Sequence, residues 1–144
     1  MNPYQKIFEV RWADLDPNLH LRHTAYNDYA AHVRFAYLAE NGFTMDEFQR
    51  AGVGPVIFTE TTRYRREVRA GEIISVQFHM LGMSQDHRKF HLYHRILKQD
   101  GEMAAEIEIE GAWFDTRLRK VCPAPAALAE ILQKIPREAG FKWL

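Results

Sequence analysis

The sequence predicts an α+β fold, an antiparallel sheet of about five strands wrapped around a long central helix. Three observations carry that expectation. Apolar and polar residues alternate in several separate stretches, the period of a half-buried strand. One segment after residue 24 is apolar around most of a helical circumference, so something must enclose it. The order is strand, helix, then four strands, which leaves the sheet to fold around the helix.

The elements follow in chain order. In residues 4–12, Tyr4, Phe8, Val10 and Trp12 can face one way and Gln5, Glu9 and Arg11 the other. A polar loop runs from Asp14 to Arg22 with Pro17 and Asn18 inside it. Tyr26, Tyr29, Ala30, Val33 and Tyr37 then share a helical face, widened by Ala31, Phe35 and Leu38. Thr24 suits the helix start and Gly42 its left-handed end. A short helix is expected over Thr44 to Ala51, then a loop at Gly52, Gly54 and Pro55.

The remaining chain reads mostly as strands. Val56, Phe58, Thr62 and Tyr64 alternate with Thr59, Thr61, Arg63 and Arg65. Ile74, Val76, Phe78 and Met80 form the next apolar row, and Phe90, Leu92, His94 and Ile96 another. Asp100-Gly101 marks a hairpin whose turn wants positive φ at both central residues. Ala105, Ile107, Ile109 and Trp113 follow, with Glu106, Glu108 and Glu110 opposite. Pro123 and Pro125 open a last amphipathic helix through Leu128, Ile131 and Leu132.

Composition narrows the function classes. A length of 144 residues with no repeat or linker predicts a single domain over 1–144. Lysine plus arginine equals aspartate plus glutamate, 19 each, so no bulk charge favours nucleic acid or an anionic membrane. No apolar run approaches the roughly 20 residues that cross a bilayer, and the first residues lack the apolar block of a secretory signal. The single cysteine, Cys122, makes neither an internal disulfide nor a zinc site, and a cytoplasmic location is expected. The two edges of an open sheet invite pairing, so a homodimer or homotetramer is expected.

The densest chemistry lies in "WADLDPNLHLRHTAYNDYA", residues 12–30. Asp16 sits in the loop, and His20, His23 and Thr24 lie between it and the helix. A helix N-terminus carries unpaired N–H groups and about half a positive charge, which suits a developing oxyanion. A carboxylate beside it can add to a carbonyl or take a proton from water. A histidine can orient substrate or protonate a leaving group. Thiolate is a good leaving group, so a thioester needs less acid assistance than an amide. No serine or cysteine occupies a nucleophile setting.

This stretch resembles the hotdog-fold thioesterases related to 4-hydroxybenzoyl-CoA thioesterase and to the acyl-CoA thioesterases of the Tol–Pal cluster. Their signature is Asp-x-Asp, a short loop, then His, Tyr or Asn, two residues and Tyr. Here it reads Asp14-Leu15-Asp16, Pro17 to Arg22, His23 and Tyr26. The resemblance implies an acyl-CoA thioesterase with Asp16 as the catalytic carboxylate and the backbone N–H of His23 polarising the carbonyl. It implies a further site histidine at His20. Acyl-CoA is then the partner, coenzyme A being part of the substrate, with no cofactor and no metal. "YRREVRAGE" resembles the family's Tyr-x-x-Pro…Gly-Asp segment through Tyr64, Gly71 and Glu72. The chain departs from the pattern at Leu19, where glycine is usual, at Arg22-His23 for Asn-Asn, at Ala31 for an acidic residue, and at Glu67 for proline. Arg34 keeps the family's arginine.

Each assignment has a plainer counterpart. Asp14 and Asp16 can be turn formers, and Asp14 can pair with Arg11 or Arg22. His23 can be a polar cap. Tyr26, Tyr29 and Tyr37 suit the core, and a buried phenol needs a partner, so one of them can face the acyl group. Glu60 is a second acid of the site or an ion-pair partner. Arg63, Arg65 and Arg66 can contact coenzyme A phosphates or simply form a solvated face with Glu67 and Glu72. Two other functions fit the same parts. One is a hotdog-type enoyl-CoA hydratase, whose Asp-x-Asn-Pro-x-His motif "DPNLH" resembles at one residue closer spacing. The other is a non-catalytic acyl-CoA-binding module.

Overall fold

The protein is described by a computed structural model covering residues 2–144. In chain order it contains β1 (Tyr4–Glu9), a 3-10 turn (Trp12–Asp14), α1 (Ala25–Glu40), α2 (Met45–Ala51), β2 (Val53–Tyr64) and β3 (Ile73–Met83). There follow β4 (Lys89–Lys98), β5 (Met103–Asp115), β6 (Lys120–Val121), α3 (Ala126–Gln133) and β7 (Arg137–Trp143). The main sheet has the order β1-β3-β4-β5-β2, all antiparallel. β6 adds to β5, and β7 runs parallel to β3.

The core forms where alternate strand residues meet α1. Val76, Phe78, Ile96, Ile107 and Ile109 come from the sheet. Ala30, Val33 and Tyr37 come from the helix. α3 adds Leu128, Ile131 and Leu132, and the Tyr37 hydroxyl donates to the Ile131 carbonyl at 3.1 Å, so a buried phenol is satisfied. α1 ends as expected. Gly42 lies at φ +95°, and the Phe43 N–H returns to the Leu38 carbonyl at 2.9 Å.

Several expectations need correction. The first strand stops at Glu9, and Trp12 opens the 3-10 turn and is 82% exposed. Gly54 and Pro55 begin β2 rather than a loop. Proline is tolerated there because β2 is the edge of the sheet. The four later strands do not pair in chain order, since β2 pairs with β5 at the far edge from β1. A register shift between Ile57 and Thr59 inverts the facing of β2 on either side of it, and Phe58 stands 61% exposed instead of inward. The Asp100-Gly101 hairpin has positive φ at Gly101 alone. The Gly101 N–H returns to Lys98 at 2.9 Å, a three-residue loop closed by a left-handed glycine. Thr24 makes no side-chain cap and accepts instead from Arg22 Nε at 3.1 Å.

Candidate active site

The loop between β1 and α1 is held by a buried carboxylate, Asp14, which is 6% exposed. It accepts from Arg11 Nε and Nη2 at 3.1 and 3.2 Å, from Arg22 Nη1 at 3.1 Å and from the Tyr29 hydroxyl at 2.8 Å. The Arg11 hydrogen bonds, aided by those of Tyr29 and Arg22, hold the Asp14 carboxyl below its ordinary range, against the opposing effect of burial. Arg11 precedes the loop, Arg22 ends it and Tyr29 stands on α1. One residue therefore pins both loop ends to the helix. The arginine partners are the two that the sequence offered.

Within this frame the chain folds back on itself. Leu15 bridges Leu21, and the Asp16 N–H donates to the His20 carbonyl at 2.8 Å. One Asp16 oxygen, Oδ1, accepts the N–H groups of Asn18 and His20 at 2.9 and 3.1 Å. Its other oxygen makes no hydrogen bond among the described residues. The reversal needs a left-handed residue at position 19, and Leu19 takes it at φ +63°. That is the conformation glycine adopts without strain, which explains the glycine usual at this place in the resembling family.

The loop is also sewn to the segment after β2. The Leu21 N–H reaches the Val68 carbonyl at 2.6 Å, and His20 bridges Arg69. His20 Nε2 stands 3.3 Å from Glu67, the residue that replaces the family's proline. The Tyr64 hydroxyl donates to the His23 carbonyl at 2.9 Å and its ring meets Tyr26 edge-on, 5.2 Å between centroids. The His23 amide N–H, by contrast, donates to no backbone carbonyl among the described residues.

Asp16, His20, His23, Tyr26, Tyr64, Arg65 and Arg66 thus line one open cleft of about 320 Å³ at the start of α1. Arg63 does not join them. It points to the other face of β2, where it lies 3.7 Å from Glu106 and 3.6 Å from Glu108. Arg65 pairs with Glu106 at 3.3 Å and Arg66 with Glu102, both at the surface. Glu60 is exposed and makes no ion pair among the described residues.

Sequence reasoning passed over a second feature of α1. Toward its C-terminal half an apolar cavity of about 270 Å³ opens between the helix and the sheet. Phe35, Leu38, Ile57, Phe78, Phe90 and Trp113 are among its walls, and Arg34 is its polar residue. Arg34 Nη1 lies 3.1 Å from His94 Nε2, and His94 Nδ1 lies 2.9 Å from the Gln77 carbonyl. Only a neutral ring protonated at Nδ1 satisfies both contacts. Burial, with the Arg34 charge adding to it, pushes the His94 pKa down to about 3. The signal was faint: His94 shared an apolar row, and a lone inward histidine does not announce its partner.

The comparisons with known proteins agree with this architecture. Residues 10–132 match the family model described as the Thioesterase-like superfamily. A curated relative, L-carnitine dehydrogenase/betainyl-CoA thioesterase of Agrobacterium fabrum, is 29% identical over 136 residues, 85% of this chain. The chain spans 28% of that relative's length. Among solved structures, a Staphylococcus aureus protein in complex with CoA superposes with a TM-score of 0.84 at 19% identity, covering 96% of this chain and 89% of that one. A 1,4-dihydroxy-2-naphthoyl-CoA thioesterase from Synechocystis gives 0.83 at 11% identity, covering 93% and 98%. The fold is therefore that of these proteins, an α+β unit with a curled antiparallel sheet, and the chain belongs to the Thioesterase-like superfamily.

Proposed function

We propose that this protein hydrolyses an acyl-CoA thioester to a carboxylic acid and free coenzyme A. The observation that carries the reading is the cleft where the Asp16 carboxylate, one oxygen fixed by two backbone N–H groups, shares a wall with the start of α1. Its family and the thioesterase activities named for the relatives support the same chemistry.

The thioester carbonyl sits against the free N–H of His23, where the helix dipole favours negative charge. Asp16 uses its unbonded oxygen in one of two ways. It adds to the carbonyl and expels the thiolate, leaving an acyl-aspartate that water cleaves. Alternatively it takes a proton from water, whose hydroxide adds to the carbonyl, and the tetrahedral oxyanion then expels the thiolate. In both routes the thiolate leaves with the electron pair of the broken C–S bond and takes up a proton. His20, held by Glu67, stands beside this exchange as proton donor or orienter. No cofactor or metal enters the scheme.

Arg65 and Arg66 are the cations placed to meet coenzyme A phosphates, because they line the cleft and are themselves exposed, which weakens their ion pairs with Glu106 and Glu102. Arg63 is left out of that role. The reading includes the full hotdog arrangement, with the sheet wrapped around α1 as central helix, a single domain over 1–144, and a cytoplasmic homodimer or homotetramer formed along β2. No helix is long and apolar enough to cross a membrane among the described residues.

A panel of acyl-CoAs assayed for free thiol tests the proposal. Thiol release from saturated acyl-CoAs is expected. Hydration of a trans-2-enoyl-CoA without thiol release would assign the site to a hydratase, and binding without turnover would make it an acyl-CoA-binding module.

A further inference from the structure

α1 and β2 run side by side in opposite directions, and their facing residues meet in sequence. Tyr64 meets His23 through its hydroxyl, and Thr62 meets Asn27 at 2.8 Å. Glu60 acts on Arg34 through its field alone. Beyond the register shift, Ile57 and Pro55, both exposed, line the mouth of the apolar cavity with Ala31, Phe35 and Leu38. On α1, positions 27, 31, 34 and 38 follow at spacings of three and four, which keeps them on one face, with His23 just before the helix. These contacts line up along α1 between the Asp16 cleft and the cavity, which have no lining residue in common.

Arg34 is the anomaly at the cavity end. Its guanidinium has five N–H donors. Among the described residues it makes one hydrogen bond, to a neutral histidine, and no ion pair. Desolvation pulls its pKa down to about 10. A cation set in an apolar cavity without a carboxylate is costly, and an incoming acceptor relieves that cost. His94 is donated to and so turns no proton toward the cavity. Arg34 is left as the donor there.

We infer that this cavity receives the far end of the acyl group, and that Arg34 selects acyl chains that are apolar along their length and end in an oxygen acceptor, a carboxylate or a hydroxyl. The inference rests on the thioesterase reading for the position of the thioester. From Ala25 to Arg34 the helix rises about 14 Å, and a helical side chain leans back toward the N-terminus, so the gap is on the order of 10 Å. A chain of about eight carbons bridges it. The cavity volume equals about nine waters, enough for the last carbons of such a chain.

The experiment compares octanoyl-CoA with its ω-carboxy, ω-hydroxy and ω-amino counterparts by thiol release, using the whole chain. The carboxy and hydroxy esters are expected to exceed octanoyl-CoA in kcat/KM by about 10-fold, the ω-amino ester to fall below it, and Arg34→Met to bring the ratios to within about 2-fold. Octanoyl-CoA as the best of the four, or the same ratios in Arg34→Met, would overturn the inference. Should Arg34→Met fail to fold, Arg34→Lys serves: it keeps the charge and should retain the carboxylate preference while losing most of the hydroxyl preference. Calorimetry of octanedioate and octanoate on Asp16→Asn reads the cavity without turnover. Tighter octanedioate binding supports the selection by Arg34 even if no thioester is cleaved, and equal or weaker binding contradicts it even if thioesters are.

Discussion

Leu19 carries strain in the loop that holds Asp16. A leucine at φ +63° costs roughly 1–2 kcal/mol, and the side chain is 65% exposed, so little packing offsets it. Leu19→Gly should raise stability by about 0.5–1 kcal/mol after the entropy cost of glycine, read as an upward shift in the urea midpoint; a downward shift would mean that the loop is not the one described. Asp14 poses the opposite case. Its carboxyl is held below the ordinary range, so its contribution is full above pH ~4 and fades as pH falls through the lowered native value. Asp14→Ala leaves Arg11, Arg22 and Tyr29 without their shared acceptor and should destabilise by roughly 2–4 kcal/mol in chemical denaturation. The sequence showed Asp14 beside its arginines but not the convergence of all three partners, because Tyr29 reaches it only once α1 is docked.

At the scale of elements, β5 and β2 meet where β5 carries Gly111. A Cβ there would collide with the Val56 carbonyl and come within 2.7 Å of the Phe90 ring. Gly111→Ala should cost about 1–3 kcal/mol, seen as a lower melting temperature, and an unchanged value would mean that the strands do not approach so closely. Local periodicity was enough to read α1, β3 and β4, since each repeats one spacing over its length. It missed β7, whose Arg137–Trp143 has no alternation and exists because β3 offers it a parallel partner. It also assigned Phe58 to the wrong face, because a register shift is set by the partner strand and leaves no mark in a single strand's pattern. The Asp16 loop was legible by its spacing. The Arg34–His94 contact was not, since 60 positions separate the two residues.

For the whole molecule, a buried neutral histidine ties stability to pH. His94 has a native pKa of about 3 against an unfolded value near 6.5, so protons bind the unfolded chain preferentially. Its contribution is present above pH ~6.5 and is lost as pH falls toward 3, on the order of 1–2 kcal/mol of it between pH 6.5 and 5. His79, also depressed by burial, acts in the same direction. Urea unfolding at the two pH values should show this loss, and His94→Gln should remove most of it; an equal loss in the variant would assign the dependence elsewhere. The free edge of β2, with Ile57 and Phe58 exposed, is where the proposed dimer would form. Sedimentation should give two or four times the chain mass, with Phe58→Lys shifted toward the monomer.

The claim on which the rest depends is that Asp16 drives thioester cleavage at the start of α1. Thiol release by the parent and by Asp16→Asn, with urea midpoints taken on the same samples, tests it most directly. The account predicts a loss of at least about 10³-fold in kcat with the midpoint little changed. Equal rates in the two proteins would contradict it.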